Sequence, residues 1–336
     1  MIKLGVIGYG YWGPNLVRNF MEAPGSTVVT VSDLRPERLE QLINRHPSIK
    51  TSTDTQALLN DSQIDAIAIA TPVSTHFELA LAALRAGKHV LVEKPLAANS
   101  EQALQLIEEA ARRQRVLMVD HTFVYTGAVR KIRELITENH LGEIYYYDAV
   151  RVNLGLFQHD VNVIWDLAIH DLSIMDYVLP SRAVAVSATG ISNIPGQPEN
   201  VAYITLFFAN PQIAHVHVNW LTPVKVRHTL IGGSDKMILY DDLEPSEKVK
   251  VYDKGVRVSQ SPEDVYEMLV SYRSGDMWAP RLDATEALHT EALHFIDCIQ
   301  NNKQPVTDGH AGLRLVRIVE AAERSLRARG ELVEIL

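Results

Sequence analysis

The chain has 336 residues, room for about two domains, and its 46 % hydrophobic and 22 % charged residues are an ordinary globular mix. A formal charge of −9 offers no basic face to neutralise phosphates and excludes a nucleic-acid partner, while a single cysteine, Cys298, excludes an internal disulfide and a cysteine-cluster metal site, so no metal is expected. No apolar run approaches the roughly 20 residues of a membrane span, and Met1-Ile2-Lys3 leads into an apolar strand with no secretory signal, so the expected location is the cytoplasm.

The first elements carry the strongest signal. Residues 2–7 read as a buried parallel strand. It breaks into Gly8-Tyr9-Gly10-Tyr11-Trp12-Gly13, a G-x-G-x-x-G turn, and Pro14 then falls in the first turn of a helix, where proline is tolerated. Leu16, Val17 and Phe20 keep helical spacing until Pro24-Gly25. A second apolar run, 28–31, closes on Asp33, twenty residues after Gly13. Gly8 makes the tight turn, Gly10 lets the backbone approach a pyrophosphate, and Gly13 lets helix and strand pack closely. The helix N-terminus offers unpaired N–H groups to the anion, and Asp33 accepts the ribose hydroxyls. Tyr11 and Trp12 belong to the same cofactor-binding turn. Strand, glycines, helix, strand and acid in register are specific, whereas the glycines alone are not. Asp33 repels a 2′-phosphate and so selects NAD; NADP is the lesser alternative, through Arg35, which can accommodate that phosphate.

A polar helix follows over 36–46, then an extended piece near Ile49, a small helix over 54–59 and a strand over 64–70. A helix over 75–86 and a strand over 88–92 come next, then Asn99-Ser100 capping a helix over 101–113, and a strand over 116–119. That rhythm predicts a Rossmann domain, a doubly wound parallel sheet, over 1–122. Beyond it come a helix over 128–139, a strand over 144–152 and a helix over 165–179. Strand-like runs then occupy 183–189, 201–208, 213–220, 226–231, 237–240 and 249–252, and helical patterns 285–301 and 311–328 finish the chain. These predict a second, α+β domain over 123–336 with a large open, mostly antiparallel sheet, its C-terminal helices able to pack back on the first domain. Helices suffice for one face of that sheet only, so a homodimer or homotetramer is expected, with Phe207, Ile213, Val216, Val218 and Trp220 contributing to the bare face.

Ligands of doubly wound sheets bind outside the carboxyl ends of the strands. Thr71, Pro72 and His76 fall at the mouth of the fourth strand, Glu93-Lys94-Pro95 at the fifth, and His121 just past the sixth, either facing nicotinamide or lying in a polar loop. Asp166 and His170 stand four apart in a helical stretch and project from one face. Arg151 and Asn153 end a strand of the second sheet and either hold sugar hydroxyls or a phosphate, or are ordinary strand-end polarity. Trp165 and Cys298 read as core.

The glycine turn, ATPVSTHFELALAALRAGKHVLVEKP (70–95) and WDLAIHD (165–171) together resemble the Gfo/Idh/MocA family, that of glucose-fructose oxidoreductase and inositol dehydrogenase. The resemblance spans nearly the whole chain, with its specific motifs in the first half. It implies that Lys94 meets both nicotinamide and substrate, that the Lys94–Pro95 peptide is cis, and that His76 lies near the cofactor, although capping or packing its own helix explains that histidine nearly as well. It also places Asp166 and His170 beside the substrate, His170 as general acid/base and Asp166 orienting its imidazole, with the reacting hydroxyl between Lys94 and His170. One departure stands out: relatives often approach this aspartate through glycines, whereas here Asn162-Val163-Ile164-Trp165 precedes it. The stretch 271–281 resembles segments of sugar-nucleotide members, as a nucleotide or uronate contact or a subunit contact. The implied activity is NAD-dependent hydride transfer at a ring carbon, C3, of a nucleotide-linked sugar such as a UDP-N-acetylhexosaminuronate. The alternatives are an NAD-assisted glycosidase or lyase, a free-sugar or inositol dehydrogenase, and a non-catalytic dinucleotide-binding regulator.

Overall fold

In the computed structural model, residues 1–155, 161–253, 255–258 and 270–336 are described. They form two compact units, Met1–Thr126 with Thr285–Glu320, and Gly127–Ala284 with Ala321–Leu336.

The first unit is built on apolar runs without alternation, the pattern of strands covered on both faces. β1 (Ile2–Ile7), β2 (Ser26–Ser32), β3 (Lys50–Ser52), β4 (Ala66–Ile69), β5 (His89–Glu93) and β6 (Leu117–Asp120) make a six-stranded sheet in the order β3-β2-β1-β4-β5-β6, parallel throughout. The crossovers are α1 (Gly13–Glu22), α2 (Pro36–Arg45), α3 (Thr55–Asn60), α4 (His76–Arg85) and α5 (Ser100–Arg113). Local chemistry sets their starts. Pro14 opens α1, Asp54 accepts the Gln56 N–H at 2.9 Å to cap α3, and Asn99 does the same for Gln102 on α5 at 2.9 Å. Ile67, Ile69, Val90, Val92, Leu84 and Leu106 pack into one core with no exposed surface. The order reverses between β1 and β4, which places a ligand at their carboxyl ends.

Residues 285–320 complete this unit. They comprise α8 (Ala287–Asn301) and the first part of α9 (Gly309–Arg327). α8 packs on α1, where Phe295 meets Phe20 edge-on with ring centroids 6.1 Å apart. Cys298 is buried on α8, and loss of hydration pushes its thiol pKa up to about 11, which makes it an inert core residue.

The second unit contains α6 (Gly127–Thr137), β7 (Ile144–Leu154), α7 (Ile169–Val178), β8 (Ala183–Ile191), β9 (Val201–Phe208), β10 (Ile213–Asn219), β11 (Leu221–Gly233), β12 (Met237–Asp241) and β13 (Val249–Tyr252). Three elements that the sequence reading lacks are β14 (Gly255–Val258), β15 (Val270–Arg273) and β16 (Met277–Trp278), with a fourth, β17 (Val333–Glu334), near the C-terminus. Among the described residues nine strands form one sheet, β16-β13-β12-β11-β7-β10-β9-β8-β17, with β7 at its centre, and β14 pairs with β15 in a second, two-stranded sheet. The large sheet is antiparallel except for β7 and β10, which run parallel. Within the stretch 271–281, the side chains of Ser271–Arg273 lie outside the described residues, and Met277–Trp278 is an edge strand paired with β13.

Alternation along β10 corrects one expectation. Val216 and Val218 turn inward and are fully buried, as is Trp220 just beyond the strand, while Ile213, His215 and His217 face outward. Successive side chains on a strand point to opposite faces, so one apolar run supplies both. The outward set therefore keeps Phe207 and Ile213 and adds Tyr203, whose ring stacks on His217 at 4.4 Å. No helix among the described residues is long and apolar enough to cross a membrane.

Candidate active site

At the edge of the first sheet the glycines meet separate requirements. Gly8 has φ +95°, and a Cβ there would sit 2.4 Å from the Ala70 carbonyl oxygen. A Cβ on Gly13 would come within 2.2 Å of the Gly8 carbonyl oxygen, so only glycine lets α1 approach β1 this closely. A Cβ on Gly10 would meet only the Arg35 Nη2, at 3.6 Å, an ordinary contact with the tip of a flexible side chain, so this part of the turn is not packed shut by backbone. No side chain caps α1; Pro14 has no N–H and the Asn15 N–H goes to the Trp12 carbonyl at 2.9 Å, so what the helix start offers an anion is the Gly13 amide and the positive end of the helix dipole. Asp33 follows β2 and accepts the Tyr9 N–H at 2.7 Å, the Arg35 N–H at 2.9 Å and Arg35 Nε at 3.3 Å. Burial pushes its carboxyl pKa up, but these donors together hold it below the usual range, so the group is ionised and fixed at neutral pH. Tyr11 is exposed on the turn. Trp12 points inward, and its indole Nε1 donates to Asp120 at 2.6 Å. A glycine turn, an uncapped helix start and an ionised acid at the end of β2 fit a nicotinamide dinucleotide.

The loops after β4 and β5 are tied together. His76 is buried with its ring nitrogens 2.8 Å from the Pro95 carbonyl and 2.9 Å from the Thr71 carbonyl, one at each loop. Loss of hydration lowers its pKa. His76 is therefore a brace between the loops rather than an exposed contact. Thr75 Oγ1 lies 2.7 Å from Thr71 Oγ1 and 2.8 Å from the Pro72 carbonyl, holding that turn. The Lys94–Pro95 peptide is cis, and Lys94 and Glu93 are half-buried at the mouth of β5. His121 is only 1 % exposed, and neither ring nitrogen is hydrogen-bonded among the described residues. Desolvation first, and then the Lys94 charge, bring its pKa down to about 3, so it is a neutral imidazole beside Lys94.

In the second unit Asn162 starts the turn that carries Asp166. Its Oδ1 accepts the N–H groups of Ile164 at 3.1 Å and Trp165 at 3.3 Å. The backbone then makes a π-helical turn, Ile164–Ala168, where the sequence predicts ordinary helix, and continues into α7. Val163 and Ile164 are fully buried and Trp165 nearly so, so these bulky residues are core that backs the turn. Asp166 accepts the Trp220 indole N–H at 3.1 Å. That indole needs Gly155 beside it, since a Cβ there would lie 2.5 Å from Trp220 Cδ1. Asp166 and His170 are half-buried, with His170 in the first turn of α7.

Arg151 departs from the sequence reading. It is 2 % exposed and closes on Asp171, the residue after His170, with contacts of 2.6 Å and 3.1 Å. A guanidinium inside a sheet core requires a carboxylate partner, and this one is spent on α7 rather than on substrate. Tyr147 adds a hydrogen bond to the Asp171 carbonyl at 3.0 Å. Asn153 is half-buried near the end of β7. Trp220, Asp171 and Asp120 escape sequence reading because their partners are distant in the chain; the only local signal was Asp171 next to His170.

A dinucleotide-binding parallel sheet joined to a large open-sheet domain defines a two-domain nicotinamide-dependent oxidoreductase. Residues 2–121 match the oxidoreductase family with the NAD-binding Rossmann fold, and residues 129–239 match the GFO/IDH/MocA C-terminal domain, so the chain belongs to the Gfo/Idh/MocA family. It is an oxidoreductase of the family with the NAD-binding Rossmann fold. A UDP-N-acetylglucosamine 3-dehydrogenase of Acidithiobacillus ferrooxidans is 28 % identical over 319 residues, covering 94 % of each chain. A scyllo-inositol 2-dehydrogenase (NAD⁺) of Bacillus subtilis is 27 % identical over 97 % of this chain and 93 % of its own. The solved structure of the Acidithiobacillus ferrooxidans enzyme superposes with a TM-score of 0.82 at 25 % identity, covering 97 % of this chain and 98 % of that one.

Proposed function

We propose that the chain transfers a hydride between NAD and C3 of a nucleotide-linked sugar of the UDP-N-acetylhexosamine or hexosaminuronate class. The carrying observation is the hydrogen bond that fixes the Asp166 carboxylate on its π-helical turn, one turn before His170. When bound, NAD accepts or returns the hydride. Lys94, at the mouth of β5, donates a hydrogen bond to the reacting oxygen and stabilises its developing negative charge. His170 takes the hydroxyl proton in oxidation and returns it in reduction. Asp166 orients that imidazole and favours its protonated form. His121, neutral and beside Lys94, supplies a polar edge for the ligand without adding charge.

The substrate class rests on similarity over the full length to a UDP-N-acetylglucosamine 3-dehydrogenase. Comparable similarity to an inositol dehydrogenase supports a second reading, a free cyclic polyol. A cofactor-linked absorbance assay with UDP-N-acetylglucosamine, its uronate, myo-inositol and scyllo-inositol separates them. The nucleotide sugars are expected to win in kcat/KM by roughly a hundredfold, since buried polar contacts to a missing group discriminate on at least this scale. A polyol turning over faster than either nucleotide sugar would overturn the assignment.

A further inference from the structure

The cofactor edge of the first unit holds a buried acidic pair that hydride transfer does not use. Asp120 ends β6 beside Glu93 of β5, its register partner. Two donors already serve its carboxylate: Trp12 Nε1 on Oδ2 at 2.6 Å and Thr122 Oγ1 on Oδ1 at 2.5 Å. Glu291 comes from the second turn of α8, which packs on the 3₁₀ turn Thr122–Tyr125. It is 0 % exposed, and neither of its oxygens is met by a donor among the described residues. The titratable groups facing it are Asp120, Glu93 and the Tyr125 phenol, with the Thr122 hydroxyl alongside.

Two neighbouring carboxylates out of contact with water do not both stay charged. The donors decide where the proton sits. Burial raises the Asp120 carboxyl as well, but the Trp12 and Thr122 donors work against that rise and favour its charged form, whereas Glu291 lacks such a pair of donors and takes the proton. Burial first, and then the Asp120 charge, push the Glu291 carboxyl well above the usual range. Protonated, it is itself a donor, and the acceptor facing it is Asp120. Trp12, at the far end of this chain of contacts, lies between Gly10 and Gly13, and its carbonyl accepts the Asn15 N–H at 2.9 Å at the head of α1.

We propose that Glu291 is a positioning residue for the cofactor: as a carboxylic acid it holds Asp120, Asp120 holds the Trp12 indole, and Trp12 holds the glycine turn in the shape that receives the dinucleotide phosphates. Losing the Glu291 proton places a second negative charge against Asp120 and releases Trp12. NADH affinity therefore falls as pH rises through the Glu291 titration, which forms the alkaline limb of the binding profile.

The test is NADH titration of the full chain, followed by fluorescence from about pH 6 to about pH 10. Wild type is expected to lose about tenfold in affinity across the alkaline limb, the scale of one pKa unit of coupling. Glu291→Leu, lacking the donor, binds about tenfold more weakly already at neutral pH. Glu291→Gln, which keeps an N–H donor and cannot ionise, restores the neutral-pH affinity lost in Glu291→Leu and shows no alkaline limb. Superimposable pH profiles for wild type and Glu291→Gln would overturn the proposal, and that pair decides it alone if Glu291→Leu does not fold. Trp12→Phe binding NADH as tightly as wild type would overturn it equally.

Discussion

At the residue scale the account makes Lys94, Asp166 and His170 a working set and Trp220 the residue that holds one of them. Lys94→Ala and His170→Ala are each expected to lower kcat by at least roughly a hundredfold, the usual scale for a lost proton-transfer or charge-stabilising group. NADH affinity should survive His170→Ala, which a titration checks. Trp220→Phe keeps the ring beside Gly155 but removes the N–H from Asp166, so it should lower kcat by a smaller factor and displace the pH–rate profile while leaving the melting temperature nearly unchanged. A Trp220→Phe enzyme with wild-type kcat and pH profile would separate Trp220 from the chemistry. These residues differ in how visible they are from sequence. Lys94 and the Asp166–His170 pair stand out because their motifs are local. Trp220 and Trp12 find their acceptors 54 and 108 positions away, so nothing near them in the chain marks the contact. Arg151 was legible as a strand-end cation but not as a buried one, because its burial depends on the strands beside it.

At the scale of elements, the segment from the π-helical turn into α7 depends on the Arg151–Asp171 pair. Breaking a buried ion pair by removing one partner leaves the other charge uncompensated, at a cost of roughly 3–5 kcal/mol. Arg151→Met should therefore unfold at markedly lower denaturant, and a second change, Asp171→Leu, should recover much of the loss because no charge is left behind. A stability for Arg151→Met within about 0.5 kcal/mol of wild type, the range of ordinary surface changes, would show the pair to be idle. The parallel strands of the first sheet and the helix cap at Asn99 were readable to within a residue or two, because apolar runs, Pro14 and the Asn-Ser cap are local signals; Asp54 read as the first residue of its helix and is its cap. The π-helical turn was not, since its side-chain pattern is that of a helix. β11 starts five residues before the predicted 226, with Pro223 inside it, because the strand tolerates a register break between Leu221 and Val226. The parallel pairing of β7 with β10 is a property of the sheet and leaves no trace in either strand.

At the scale of the whole molecule, the outward face of the large sheet presents Tyr203, Phe207 and Ile213, each at least a third exposed. These side chains share the outward face with Thr205, His215 and His217, which the register places beside and between them, and the proposal is that a second copy covers it. Phe207→Glu with Ile213→Lys should shift the light-scattering mass toward the monomer; a wild-type chain that is already monomeric at micromolar concentration would remove the argument. The central claim is hydride transfer at C3 of a nucleotide-linked sugar, and one measurement addresses it without inference from structure. UDP-N-acetylglucosamine carrying deuterium at C3 is incubated with the enzyme and NAD⁺, and the reduced cofactor is analysed by mass. The account predicts net reduced cofactor with the deuterium on its nicotinamide ring. Reduced cofactor without deuterium would place the reaction at another carbon, and no net reduced cofactor from this or the uronate substrate would contradict the claim itself.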